Sequence, residues 1–238
     1  MTPSGSRYSE RYAHGKGHRH AAAAGLTSGL VSYWKLDEAS GATRADSVGG
    51  NDLADPAGEN VAQAAGKILQ AASFAGTSTN VLQNDALDLP TGSFTVSCWV
   101  NLADAGGLVT ALAAHGVTAS TRAWFLRYNS VNLQFVVSAD GTADSATVAA
   151  GTLSNNTWAH VVAWHDSGGG AVGICVDGGE AVTTAYAGGR FAAAVFGLAS
   201  AADAGFLIDE LGIWSRVLTA GERAQLYNGG AGLPLASF

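Results

Sequence analysis

Proline and cysteine are scarce in this chain, methionine occurs once, and charged residues make up only 13% of it. Two cysteines cannot build a disulfide framework, so stability has to come from a buried core, and 238 residues are enough to form one. So little charge argues against long solvated helices. No stretch approaches the run of about 20 apolar residues that crosses a bilayer as a helix. The first twenty residues, MTPSGSRYSERYAHGKGHRH, hold no apolar segment, and the later Ala21–Leu26 run is too short and too far along to act as one. That predicts a chain made without a secretion leader. A nucleophile elbow, a phosphate-binding glycine loop, a His-Glu-x-x-His and paired Cys-x-x-Cys are all missing.

What the chain has in quantity is glycine, 32 residues of it, spaced between short apolar alternations. That is the composition of many strands joined by tight turns. Charge is unevenly placed. Residues 1–25 carry Arg7, Arg11, Lys16 and Arg19 against Glu10, a balance of +3, which leaves −10 on the rest of a chain whose net charge is −7. A basic arm (1–25) therefore precedes an acidic body (26–238), and the body is a poor general binder of nucleic acid. Left alone, the arm is expected to be disordered; ordering of Arg7-Tyr8, Arg11-Tyr12, Lys16 and Arg19 on a partner subunit, or metal binding by His14, His18 and His20, are the alternatives.

Within the body, Leu30 to Leu36 reads as a first strand, Lys67 to Phe74 as another, and Val81-Leu82 and Leu87 to Leu89 as short ones. The clearest alternation sets Phe94, Val96, Cys98 and Val100 against Thr95, Ser97, Trp99 and Asn101. Strands follow over Leu108 to Ala114, Ala123 to Arg127, Asn132 to Ala139, Trp158 to Trp164, Ala171 to Val176, Glu180 to Thr184 and Phe191 to Leu198. The stretch FLIDELGIWSRVLTAGERAQLY, Phe206 to Tyr227, closes the body. Its first half alternates, with Leu207, Asp209, Leu211 and Ile213 on one side and Phe206, Ile208, Glu210 and Trp214 on the other. Thr219 and Glu222 then fit a capping box that opens a short helix, which Asn228-Gly229-Gly230 ends. Cys98 and Cys175 both fall in strands, as buried thiols or as a cross-strand pair if their Cα atoms approach within about 7 Å.

Four ordered stretches resemble the laminin-G-like, concanavalin-A-like family: Gly29 to Glu38 with the Asp46 to Asp52 loop, Ser93 to Val100, Trp158 to Val162, and the Ile208-Asp209-Glu210 strand with its Leu-Thr-x-x-Glu turn. The resemblance implies an all-β, two-sheet antiparallel jelly-roll sandwich with one short C-terminal helix, preceded here by the extended arm. It also implies core positions for Trp34, Trp99, Trp158 and Trp214, a packed role for His160, and a calcium ion beside the first loop and the closing strand. That would make Asp37, Asp46, Asn51 and Asp209 the ligands, oxygen donors of the kind calcium takes in sets of roughly six to eight. Asx turns explain the same loop residues without a metal.

A sugar site needs an aromatic ring to stack on and amides for hydroxyls. Trp124, Tyr128, Asn129, Asn132 and Gln134 fall together on one hairpin and are the candidates. Retaining glucanases of this fold carry two carboxylates about 5 to 5.5 Å apart on one strand face. Asp209 and Glu210 are adjacent and so expected on opposite faces, which predicts a protein without that activity. The leading functional expectation is a non-enzymatic virion surface protein, decorating a capsid or tail, with other assembly subunits as partners of the arm. The alternative is an extracellular, calcium-dependent carbohydrate-binding or adhesion module.

Overall fold

The computed structural model describes residues 25–238 apart from 57, 59–60, 77–80, 90, 107, 117, 119 and 203–204. The arm residues Arg7, Tyr8, Arg11, Tyr12, Lys16 and Arg19 lie outside the described residues. Fourteen strands are described. In chain order they are β1 (Leu30–Trp34), β2 (Ala62–Ala65), β3 (Gln70–Phe74), β4 (Leu82–Asn84), β5 (Phe94–Leu102), β6 (Leu108–His115) and β7 (Trp124–Asn129). They continue with β8 (Leu133–Val137), β9 (Ala146–Ala149), β10 (Trp158–Asp166), β11 (Ala171–Val176), β12 (Val182–Ala185), β13 (Phe196–Ala202) and β14 (Phe206–Trp214). The helix α1 spans Ala220–Tyr227.

The strands form two antiparallel sheets. One runs β12-β11-β10-β5-β14-β3-β2 with β1 also paired to β14, and the other runs β4-β13-β6-β7-β8-β9. Between them lies the expected apolar core. Trp34 stacks on Phe196 at 5.3 Å, and Trp124 packs among Phe94, Phe135 and Phe196 at 5.4 to 6.1 Å between ring centroids. Each fully buried ring of this size contributes on the order of 2 kcal/mol through removal from water.

The closing strand departs from strict alternation. Phe206, Ile208, Leu211 and Ile213 all reach the core, because the pairing with β5 shifts between Asp209 and Gly212 and Glu210 takes a left-handed φ of 50°. This β-bulge adds one residue, so the alternation expected across Phe206 to Trp214 reverses halfway along. Trp214 then lands on the outer side, in a second cluster with Leu26, Tyr33, Leu218 and Leu226. There α1 and the residues after it cover the outside of the eight-stranded sheet. Phe238 meets Tyr33 edge-on at 5.3 Å, Tyr227 stacks over Trp99 at 5.9 Å, and Arg223 lies 4.5 Å over Trp164.

The helix starts as its sequence dictates. Thr219 accepts from the Glu222 N–H, the Glu222 carboxylate accepts in return from the Thr219 N–H, and Asn228 caps the far end in the left-handed region. Cys98 points into the core while Cys175, one residue out of phase across β10, points outward, so both are free buried thiols. Three strand expectations shift. The one over Phe191 to Leu198 begins only at Phe196, as β13. The segment from Gly66 to Leu69 is the turn joining β2 to β3, closed by a Gly66 N–H to Leu69 carbonyl bond of 3.1 Å. Leu87 to Leu89 is no strand: its carbonyls are held by side chains, Leu87 O lying 3.0 Å from His115 Nε2 and Leu89 O accepting from Arg190 Nη2 at 2.8 Å.

Candidate functional site

The hairpin of β7 and β8 carries the predicted sugar site, and the fold divides its residues. Trp124, Leu126 and Tyr128 face the core. Trp124 and Tyr128 are fully buried and cannot stack on a sugar arriving from solvent. Asn129 serves the turn, its Oδ1 accepting from the N–H groups of Val131 at 3.3 Å and Asn132 at 2.7 Å, and Asn132 returns its carbonyl to the Asn129 N–H. Only Gln134 remains on the outward face, alongside residues the sequence did not single out.

Because successive residues of β7 alternate, Phe125 and Arg127 look away from the core. Phe125 joins Val136, Ala111 and Ala114 in a small apolar layer on the outside of the six-stranded sheet. Two guanidinium groups lie across it, Arg122 at 5.5 Å and Arg127 at 5.0 Å from the Phe125 ring. Asp144, in the β8–β9 loop, bridges them: one oxygen is 3.2 Å from Arg122 Nη1 and the other 3.5 Å from Arg127 Nη2. Arg127 Nε donates to Gln134 Oε1 at 2.7 Å, Arg122 Nη2 donates to the Thr142 carbonyl, and Arg122 Nε is buried without a partner. These three ionic side chains are a quarter to a third exposed. Exposed pairs of this kind contribute roughly 0.2 to 1 kcal/mol, so the bridge can be broken at little cost. The signal in the sequence was the period of β7 itself: once Trp124 and Tyr128 are assigned to the core, Arg127 must face out.

The expected calcium ligands do not form one set. Asp46 lies in the first loop with its oxygens engaged: Oδ1 accepts from the N–H groups of Tyr33 at 2.9 Å and Val48 at 3.0 Å, and Oδ2 from Asn51 N–H at 3.0 Å. Burial opposes its ionisation, yet these N–H groups hold the carboxyl below its usual range. Asn51 donates to Ser32 Oγ and lends its carbonyl to Trp34 Nε1. Asp37 and Asp209 sit elsewhere, with Glu210. Asp37 accepts from Gln70 N–H, and Asp209, fully buried, accepts from Ile68 N–H at 2.8 Å while its other oxygen has no partner. Burial pushes Asp209 up to about 8 and Glu210 up to about 7. Among the described residues no group of three or more His, Cys, Asp or Glu side chains is placed to hold a metal ion. Among the described residues, Asp37, Asp46, Asn51 and Asp209 are thus not gathered as one ligand set.

The bulge also corrects the expectation that Asp209 and Glu210 look opposite ways. Glu210 adds negative charge to the surroundings of Asp209, both sense Asp37, and the Tyr33 hydroxyl donates to Glu210. They lie on the covered side of the eight-stranded sheet, and both are buried. A serine–histidine pair lies there too. Ser97 Oγ and His160 Nε2 are 2.9 Å apart and buried, but Trp99 and Tyr227 pack against the imidazole at 5.0 and 6.1 Å. Burial pushes His160 down to about 3, and it is the backbone N–H of His160, not its ring, that donates to Asp177.

Comparison with known proteins gives the fold its relatives. No curated protein sequence matches the chain. Among solved structures, the binding domain of Paraclostridial Mosquitocidal Protein 1 superposes with a TM-score of 0.65 at 12% identity, over 85% of this chain and 52% of that one. The botulinum neurotoxin serotype D ligand binding domain in complex with N-acetylneuraminic acid gives 0.62 at 11% identity, over 84% and 51%. A Trypanosoma rangeli sialidase gives 0.61 at 16% identity, over 87% and 34%. The chain spans about half the length of the first and second of these, and a third of the last. A laminin-G-type family model matches residues 75–222, more than half of the sequence, and with the two-sheet architecture above this places the chain in the concanavalin A-like lectin/glucanases superfamily.

Proposed function

We propose that the chain is a non-catalytic glycan-binding module that uses the outward face of its six-stranded sheet. The observation that carries this reading is the asymmetry of the sandwich. One outer face is closed by α1 and its following segment, while the other leaves Arg122, Arg127 and Gln134 partly open over an apolar layer. The burial of Asp209, Glu210 and the Ser97–His160 pair favours holding over cutting. The superposed proteins add support of a general kind, since toxin binding domains, one of them bound to N-acetylneuraminic acid, share the fold. The test is a glycan array with the full chain: saturable binding to a defined glycan class upholds the reading, and an empty array together with release of reducing sugar from any polymer overturns it.

A second reading concerns where the module is displayed, and rests on the split between a +3 arm and a −10 body. An arm of that sign suits attachment to an anionic neighbour, with the sandwich facing outward, as on a virion surface. Deleting residues 1–25 should then abolish co-sedimentation with purified particles while leaving a folded body; unchanged co-sedimentation removes the arm from the account.

A further inference from the structure

We infer that Arg122 and Arg127 form the seat for the carboxylate of an acidic sugar, and that Asp144 occupies that seat as an internal stand-in. The inference deepens the glycan-binding reading and rests on it. Two guanidinium groups converge on a single carboxylate, which gives each arginine one oxygen at 3.2 and 3.5 Å. Where this protein needs a firm arginine clasp it builds a tighter one: Arg216 takes both oxygens of Glu222 at 2.6 and 2.8 Å. The Asp144 bridge is looser and more exposed, and it leaves one positive charge uncompensated. That charge is conspicuous on an acidic body. Of the eight basic residues after position 25, Arg44 and Arg190 are interior, Arg216 clasps Glu222, Arg223 and Lys67 lie over Trp164 and Trp99, and Lys35 is an exposed single charge near Glu210, which leaves Arg122 and Arg127 as the pair.

The surroundings suit a carboxylate. The Phe125 ring and the buried Val136 beneath supply a floor of low polarity that strengthens a charge-assisted hydrogen bond above it. Gln134 fixes Arg127 through Nε, so the face of the guanidinium bearing Nη1 and Nη2 is presented in one orientation. Asp140 fixes the loop on the other side by accepting from the N–H groups of Thr142 and Ala143 at 2.8 and 2.9 Å, so Asp144 can swing away without the loop unravelling. A ligand carboxylate would enter as Asp144 leaves, exchanging one pair of ionic contacts for another while the sugar's hydroxyls meet Gln134 and the Thr142 side of the loop.

The experiment is calorimetric titration of the full chain with 3′-sialyllactose, its carboxyl methyl ester, and lactose. Wild type should bind the acid at least about 10-fold more tightly than the ester or lactose, with an affinity that falls as salt rises. Arg122→Gln and Arg127→Gln should each lose that preference at an unchanged melting temperature. Asp144→Asn should move the other way and tighten binding several-fold, a direction that a purely structural bridge would not give. Equal binding of acid and ester, or an Asp144→Asn protein that binds more weakly, overturns the seat. If array binding to neutral glycans persists in both arginine variants, the module reading stands while this inference falls. If wild type binds no glycan, both fall.

Discussion

Tyr33 donates its phenolic hydrogen to Glu210, 177 positions further along the chain, and so ties β1 to the bulge of β14. Tyr33 itself is held high by burial and by the same carboxylates, so it stays a donor throughout the accessible pH range. Replacing it by phenylalanine leaves a buried carboxyl short of its partner. Tyr33→Phe should cost about 1 to 3 kcal/mol in a urea titration, and an unchanged midpoint would show that water takes the place of the hydroxyl.

Stability should fall as pH rises through neutrality. In the unfolded chain carboxyls of this kind lose their protons near pH 4, whereas burial keeps Asp209 protonated to about 8 and Glu210 to about 7. Between those limits the folded state binds more protons, so unfolding becomes easier with each step upward and levels off above pH 8. The carboxyls held low pull in the opposite direction only in acid: Glu222, at about 2 through the Arg216 fork, and Asp140, at about 2 through loop N–H groups. Each tenfold difference in proton affinity between folded and unfolded chains is worth about 1.4 kcal/mol, so a loss of at least about 2 kcal/mol is expected from pH 5 to pH 8. Asp209→Asn should flatten the profile; a flat wild-type profile would contradict the burial on which this rests.

Arg44 has no exposed surface and donates to the carbonyls of Ala39 at 2.7 Å, Ala42 at 2.8 Å and Val61 at 3.0 Å. It is the internal scaffold of the loop between β1 and β2. Arg44→Leu strands three carbonyls and should cost about 3 kcal/mol or more, read as a drop in melting temperature. Arg44→Lys should recover little, since one ammonium cannot reach three separated acceptors.

The cap of α1 should respond in proportion to its bonds. Thr219→Ala removes the acceptor for the Glu222 N–H and the hydroxyl that donates to Glu222 Oε2, and should cost about 1 kcal/mol. Asn228→Gly, at φ 48°, keeps the left-handed conformation but loses the Nδ2 bond to the Gly232 carbonyl at 2.9 Å, and should cost about 0.5 to 1.5 kcal/mol.

Calcium and its removal should leave the melting temperature where it is, because Asp46 already satisfies backbone N–H groups and lies apart from Asp37 and Asp209, which serve the β2–β3 turn. A rise in melting temperature with millimolar calcium would reveal a site built from other donors.

The sandwich was legible because its central strands alternate apolar residues toward the core and its helix carries both halves of a capping box. The edges were not. β2, Ala62–Ala65, is mostly exposed and reads Ala-Gln-Ala-Ala, so no apolar alternation marks it; β9, Ala146–Ala149, is equally short and alanine-rich. The bulge escaped because Glu210 is not a residue that signals a left-handed turn, and only the pairing with β5 forces it. The candidate sugar site was half legible. Gln134 does face outward, but Trp124 and Tyr128 offer no ring platform, because large aromatics on a central strand are more readily accommodated inside. Arg122 and Arg127 gain meaning only when the β8–β9 loop brings Asp144 between them.

The two thiols give the molecule a built-in pair of reporters. Cys98 lies between the sheets, with burial pushing it up to about 12, while Cys175 lies on the opposite side of its sheet, beside Arg223 of α1 and bonded to the Gly179 carbonyl. An alkylating reagent would label Cys175 alone when the helix lifts, and both when the layers part, so peeling of the cover and global opening become separate, countable events in one mass spectrum.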